Sequence, residues 1–330
     1  MKYARLIGTG GYLPEKVLTN ADLEKMVHTT DQWIRERTGI RQRHIAAEGE
    51  TTCDLAEQAA RRAIAAAEVG FDEVDLIIVA TTTPDQVFPS TACLLQHRLG
   101  IRGCAAFDVQ AVCTGFIYAL AIADKFIRTG SATTALVVGA ETFSRIINWK
   151  DRKTCVLFGD GAGAVVLEPN DNGDGRGVLS THLYSDGNFA SLLWMEKPSP
   201  KDRPTFRKDF FDEGRFFPKM DGRNVFVNAC QRMPEAVRAG LEANGLTIED
   251  VDHLIPHQAN DRISLMVAKG LRIPVEKVIR NIDRIGNTTA ASIPIALDEA
   301  VKAGRVKRGD LVALTSFGSG FTWASALLRW

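Results

Sequence analysis

The feature that most restricts what this chain can become is the alternation of short, almost wholly apolar runs with longer Ala-rich stretches. Residues 76–80 read LIIVA, residues 136–138 LVV and residues 311–315 LVALT. Runs of this length without polar alternation suit strands covered on both faces. Residues 105–109, 164–167 and 253–255 are further strand candidates. Helical stretches lie between them: residues 54–67 are Ala-rich, and residues 114–129 are apolar at helical spacing and stop at Gly130. The pattern predicts an α/β protein with largely buried sheets. At 330 residues, 45% of them hydrophobic, the chain can bury a large core and fill two domains of ordinary size.

The second half echoes the first. A shift of 174 positions places Gly130 on Gly304, Val137-Val138 on Leu311-Val312 and Cys113 on Asn287. Val74-Asp75-Leu76-Ile77 matches Val251-Asp252-His253-Leu254 at a slightly different shift. Two similar βα halves are expected, residues 1–170 and 171–330, joined in the Asn-, Asp- and Gly-rich loop 169–177.

Forty basic residues balance forty acidic ones, so no nucleic-acid partner is expected. No run approaches the roughly 18 apolar residues of a membrane span, and the amino terminus passes into strand-like Ala4-Arg5-Leu6-Ile7-Gly8 without a signal-peptide pattern. A cytoplasmic, non-membrane protein is the expectation. Six cysteines without Cys-x-x-Cys pairs argue against a disulfide framework and a zinc cage, so each thiol is judged alone.

Cys113 has a distinctive setting: strand candidate 105–109, a turn through 110–112, then a helix opening at Cys113-Thr114-Gly115-Phe116. Amides and the dipole at a helix start favour thiolate, which predicts a lowered thiol pKa. Cys53, Cys93, Cys104, Cys155 and Cys230 lie in helices, at a strand start or before an apolar run, where a small buried thiol is the ordinary reading. His257 opens the quartet His257-Gln258-Ala259-Asn260, between a strand candidate and a helix beginning near Asp261. Ligands bind at such carboxyl ends of strands. Asn287, in the segment 286–292, follows a strand-like stretch and precedes a helix. Alone, His257 suits an ordinary loop residue as well as an acid–base group, and Asn287 suits an N-cap. Three equivalent corners together suggest one site.

These residues carry a resemblance. Thr38-Gly39-Ile40, the Cys113 corner, Phe158-Gly159-Asp160-Gly161-Ala162-Gly163, His257-Gln258-Ala259-Asn260, Gly286-Asn287-Thr288 and Phe317-Gly318-Ser319-Gly320-Phe321-Thr322-Trp323 resemble the type III β-ketoacyl-acyl-carrier-protein synthases over essentially the whole chain. The resemblance implies a thiolase fold, a five-layered αβαβα sandwich, in a homodimer. It implies a catalytic triad of Cys113, His257 and Asn287, and an oxyanion hole from the amides of Cys113 and Ser319. The implied reaction is decarboxylative condensation of a short acyl-CoA, acetyl-CoA by preference, with malonyl-acyl-carrier-protein, initiating fatty acid synthesis. It needs no metal and no redox cofactor, acyl-CoA being a substrate. The alternative within the same class is a condensing enzyme of secondary metabolism with a medium-chain or aromatic starter.

The resemblance also places Trp33 and Arg152 on either side of the adenine of CoA, Arg37 near its phosphates and Gly222 along the pantetheine arm, with Asn260 among the CoA-binding residues. Gln258, Ala259, Asn260, Asp261, Arg262 and Lys269 would dock the acidic acyl carrier protein, and Phe88 would cross the dimer to close the partner's acyl pocket. Three departures stand out: Ser319 where many members have Gly, Val112 where Ala is common, and Val227 in place of a docking Lys. Residues 188–223 form a long segment with five Phe between Phe206 and Phe217, expected to cap the tunnel mouth or the dimer edge. A nucleotide-binding oxidoreductase is a poor rival, because neither Gly8-Thr9-Gly10-Gly11 nor 159–163 is followed by a helix pattern. A degradative thiolase would carry a second Cys late in the chain, and the last here is Cys230.

Overall fold

The computed structural model describes residues 3–330. Its layers are built from strands β1 (Tyr3–Tyr12), β2 (Leu76–Ala80), β3 (Ala105–Val109), β4 (Ala135–Glu141), β5 (Gly161–Asn170), β6 (Gly177–Ser185), β7 (His253–Pro256), β8 (Leu311–Gly318) and β9 (Thr322–Arg329). The helices that cover them are α1 (Thr52–Ala67), α2 (Gly115–Thr129), α3 (Gly222–Ala243), α4 (Asp261–Leu271) and α5 (Ser292–Lys302). One sheet has the order β1-β5-β4-β2-β3 and the other β7-β8-β9-β6. Helix α1 packs outside the first sheet, α3 and α4 outside the second, and α2 and α5 lie between the two. This is the five-layered sandwich expected from the resemblance.

Local chemistry sets the element ends. Thr51 and Asp54 form a reciprocal capping box at the start of α1. Helix α2 stops where Gly130 takes a φ of 75°. Strand β2 is fully buried along its length, which is why its sequence lacks polar alternation.

The internal repeat is present, and its register is the 177 that relates Val74–Ile77 to Val251–Leu254 in the sequence, not the 174 that relates Gly130 to Gly304. The short 3₁₀ turns Phe71–Glu73 and Ile248–Asp250, the turns Val112–Thr114 and Thr289–Ala291, and the first residues of α2 and α5 are all related by a shift of 177. Val112 and Thr289 even share a φ of 48°. Cys113 therefore corresponds to Ala290, not to Asn287. The smaller shift of 174 arises only after the helix starts, because Gly130 follows Gly115 by 15 residues and Gly304 follows Ser292 by 12.

Glycines let the halves approach. A Cβ on Gly139 would come within 2.4 Å of the Ala290 carbonyl oxygen, and one on Gly163 within 2.6 Å of the Ile295 amide nitrogen. The segment 159–163 thus runs into a strand against α5 and is no nucleotide loop. Gly163→Ala is expected to destabilise the protein by about 1–3 kcal/mol through overpacking, whereas Gly187→Ala, with nothing within 4 Å of the added carbon, stays within about 0.5 kcal/mol. Denaturant unfolding of the two variants checks this; equal effects would mean the close approach is not required.

Candidate active site

Cys113 sits in the 3₁₀ turn Val112–Thr114, and α2 proper begins only at Gly115. Val112 places a β-branched side chain in the left-handed region, a strain of order 1–3 kcal/mol immediately before the thiol. The thiol is buried, and burial, followed by the charge of Glu141, pushes its pKa up to about 12; its own amide opposes this. The expectation of a lowered pKa is corrected here: removal from water outweighs the helix start, whose first turn lies beyond Cys113.

Strand β8 ties the nucleophile to the histidine. The His257 amide donates to the Thr315 carbonyl at 2.8 Å, and the next residue, Ser316, donates its hydroxyl to the Cys113 carbonyl at 2.8 Å. His257 is 2% exposed, and burial brings its pKa down to about 3, so the ring is neutral. Its Nδ1 lies 2.6 Å from Ser292 Oγ, while Nε2 is buried and has no hydrogen-bond partner.

Asn287 is held by backbone. Its amide donates to the Leu157 carbonyl and its carbonyl accepts from Gly159, each at 2.9 Å. Its Oδ1 accepts from the Thr289 amide at 2.9 Å, which leaves Nδ2 as the free donor. The residues before it form a short helix, Ile282–Ile285, rather than a strand, and α5 starts five residues later, so Asn287 is not its N-cap. Behind this turn lies Arg43, fully buried, with its guanidinium on the carbonyls of Leu18 and Val156 and on Asn20 Oδ1. Its Cβ would be 3.0 Å from a Cβ on either Gly159 or Gly286.

The Gly318 turn closes the other side. A Cβ there would stand 3.1 Å from the Cys113 amide nitrogen, so Gly318 keeps that amide uncovered. The Ser319 hydroxyl is turned away and donates to the Leu193 carbonyl, tying residues 188–223 to this turn. Phe189 stacks on Phe321 with centroids 5.3 Å apart. Farther out, Phe210 is buried with Lys197, Arg207 and Arg215 each within 4.7 Å of its ring, while Phe206 and Phe211 are exposed.

The remaining residues singled out in the sequence divide into two groups. The Arg152 guanidinium lies directly over the Trp33 ring, 4.6 Å from its centroid, so a base between them requires the pair to part. Arg37 is exposed, and its carbonyl accepts from Asn260 Nδ2 at 3.0 Å; Asn260 also caps α4. Gly222 opens α3, where an added Cβ would meet only Met220 at 3.8 Å. Arg262 and Lys269 are exposed on α4, Ala259 is half-buried, and Asp261 pairs with Arg280 at 2.7 Å. Gln258 is a correction. It is wholly buried, bonded through its side chain to the Pro256 and Ile279 carbonyls and the Asn281 amide, and offers no surface to a docking protein. Phe88, with Val87, projects from the surface, 83% exposed.

Comparison with known proteins decides the family. Residues 107–187 match the family described as 3-oxoacyl-[acyl-carrier-protein (ACP)] synthase III, and residues 241–330 match its C-terminal counterpart. A β-ketoacyl-[acyl-carrier-protein] synthase III of Thioalkalivibrio sulfidiphilus is 59% identical, the match covering 100% of both chains. The crystal structure of 3-oxoacyl-[acyl-carrier-protein] synthase III from Aquifex aeolicus superposes with a TM-score of 0.92 at 49% identity, covering 99% of this chain and 100% of that one. The priming β-ketosynthase of the R1128 polyketide pathway gives 0.91 at 35% identity, covering 99% and 96%.

This chain belongs to the β-ketoacyl-acyl-carrier-protein synthase III family. It is accordingly a condensing acyltransferase with the thiolase fold, and the oxidoreductase and degradative-thiolase readings fall away.

Two buried residues of this synthase escaped the sequence reading. Ser292 lay inside a quoted motif without a role. Glu141 ends the apolar strand β4, a lone acid whose only signal is its incongruity; its carboxylate accepts from the Thr82 amide at 3.0 Å and the Thr83 hydroxyl at 2.6 Å. Burial pushes its pKa up to about 7 against these bonds. The unfolded chain releases this proton near the ordinary 4.5 and the folded one near 7, so the native state binds more protons between them and loses stability as pH rises. Glu141→Gln should therefore gain on wild type by up to about 3 kcal/mol as pH increases across that window. Unfolding free energies at its two ends test this, and a constant difference would refute the assignment.

Proposed function

We propose that this synthase transfers an acyl group from acyl-CoA to Cys113 and condenses it with malonyl-acyl-carrier-protein, releasing carbon dioxide and initiating fatty acid synthesis. In this reading residues 1–170 supply the nucleophile and residues 171–330 the donors. The observation that carries it is the set of groups borne by adjoining turns: a buried thiol, a neutral imidazole with Nε2 unpartnered, and an Asn amide with only its NH₂ free.

In the first half-reaction the Cys113 sulfur bonds to the acyl carbon, the bond from that carbon to CoA sulfur breaks, and the thiol proton ends on CoA. The Cys113 and Ser319 amides hold the tetrahedral oxyanion. Malonyl-carrier protein then binds. Its carbon–carboxylate bond breaks, the electron pair passes into an enolate, and His257 Nε2 and Asn287 Nδ2 donate to the thioester oxygen where charge gathers. The enolate carbon attacks the acyl carbonyl, expelling Cys113 as thiolate, which takes a proton from solvent. No step draws on a metal or redox cofactor. Trp33, Arg152, Arg37, Gly222 and Asn260 line the path of CoA, and Arg262 and Lys269 meet the acidic carrier. The exposed apolar pair Val87-Phe88 supports a homodimer in which Phe88 closes the partner's pocket. No helix among the described residues is long and apolar enough to cross a membrane, and the reaction fits a cytoplasmic setting.

Cys113→Ala should abolish acyl-enzyme formation. Asn287→Ala should still acylate itself from acyl-CoA but lose condensation by roughly 10²- to 10³-fold, the cost of one such donor. Mass spectrometry of the protein and single-turnover condensation separate the two; an Asn287 variant that condenses normally overturns its role.

Acetyl-CoA or another short starter is the proposed substrate, because a pocket ending at Phe88 makes a longer chain cost more in overpacking than the about 0.8 kcal/mol gained per buried methylene. Acylation rates with acetyl-, butyryl- and octanoyl-CoA should fall with length in wild type and recover for octanoyl in Phe88→Ala. Octanoyl preferred by wild type, with no gain in the variant, would favour the medium-chain alternative.

A further inference from the structure

Ser292 is the first residue of α5, and its hydroxyl oxygen lies 2.6 Å from His257 Nδ1 and 3.3 Å from the Gln258 amide nitrogen. The positions of the protons follow from counting. The Gln258 N–H can only donate, so it points at a lone pair of Ser292 Oγ. Among the described residues the hydroxyl has no other partner, so its single proton has one acceptor in reach, His257 Nδ1. A neutral ring that accepts at Nδ1 carries its own proton on Nε2. In the opposite tautomer both neighbours would donate to Oγ, and the hydroxyl proton would be buried without an acceptor.

The amide that forces this choice is itself immobilised. Gln258 is wholly buried and its side chain is anchored at both ends, Nε2 on the Pro256 carbonyl at 2.7 Å and Oε1 under the Asn281 amide at 3.1 Å. Ser292 shares its helix with residues packed against the first sheet, so neither partner can drift.

We propose that Ser292 is a positioning residue that sets the tautomer of His257, holding its proton on Nε2 before substrate binds. This rests on the reading of His257 as hydrogen-bond donor to the enolate. It makes Nε2 a donor from the outset and unfit to take the Cys113 proton, so decarboxylation depends on Ser292 and acylation does not.

The test uses the full-length protein labelled with ¹⁵N-histidine, the His257 signals being those lost in His257→Ala. Wild type and Ser292→Thr, which keeps a hydroxyl, should show the proton on Nε2. Ser292→Ala should lose that preference. Its kcat for decarboxylation of malonyl-carrier protein should fall about 10-fold, the worth of one such hydrogen bond, with KM unchanged, acylation by acyl-CoA within about 2-fold, and rescue in Ser292→Thr. A wild-type proton on Nδ1 overturns the proposal, even if Ser292→Ala fails to fold. So does a folded Ser292→Ala that keeps the Nε2 proton, or one that loses acylation and decarboxylation alike. If instead His257→Ala decarboxylates normally, the donor role of His257 fails while the tautomer assignment stands.

Discussion

The site depends on the close approach of two backbones at the centre of the sandwich. Gly139 and Gly163 present bare Cα atoms to the turn and first residues of α5, with room for no side chain between. A Cβ on Gly115, at the start of α2, would be only 3.5 Å from that of Ala290. The turn carrying Cys113 and the turn preceding Ser292 are therefore packed back to back. Dispersion at such short range is lost steeply with any separation, which makes the junction stiff.

Around this junction the buried ionisable groups are shifted toward neutrality. Burial raises the Cys113 thiol, lowers the His257 imidazole and raises the Glu141 carboxyl. With the thiol and the imidazole both neutral, no cation among the described residues stands beside them, and in the proposed reaction an enolate would be met by oriented donors. In a low dielectric those donors count for more than in water, and they need no reorientation as charge develops. On the other side of the thiol, Val112 takes a strained φ of 48° and Gly318 leaves the Cys113 amide uncovered.

The long segment 188–223 is tethered to this core at its base and free at its tip. The Ser319 hydroxyl on the Leu193 carbonyl and the stack of Phe189 on Phe321 fix the base beside the catalytic turn. The tip builds a small nucleus of its own, Phe210 ringed by three cations, and leaves Phe206 and Phe211 outward. The departure of Ser319 from glycine thus adds a tether between the Gly318 turn and this segment.

The sequence by itself determined the layers, the strand-to-helix corner at Cys113 and the motifs that name the family, because apolar periodicity and turn chemistry are properties of neighbouring residues. It missed whatever depends on distant ones. The sequence offers two repeat registers, 174 at Gly130 and Gly304 and 177 at Val74–Ile77, and only the placed turns show that 177 relates the site corners. Gln258 reads as surface because polar residues usually are, and only the carbonyls packed around it show otherwise. The thiol pKa was misjudged because a helix start is visible in sequence and depth of burial is not. Ser292 acts on a histidine 35 residues away and Ser316 on a cysteine 203 residues away. Such pairings, and the proton positions they impose, exist only once distant parts of the chain have folded together, so tertiary structure alone decided them.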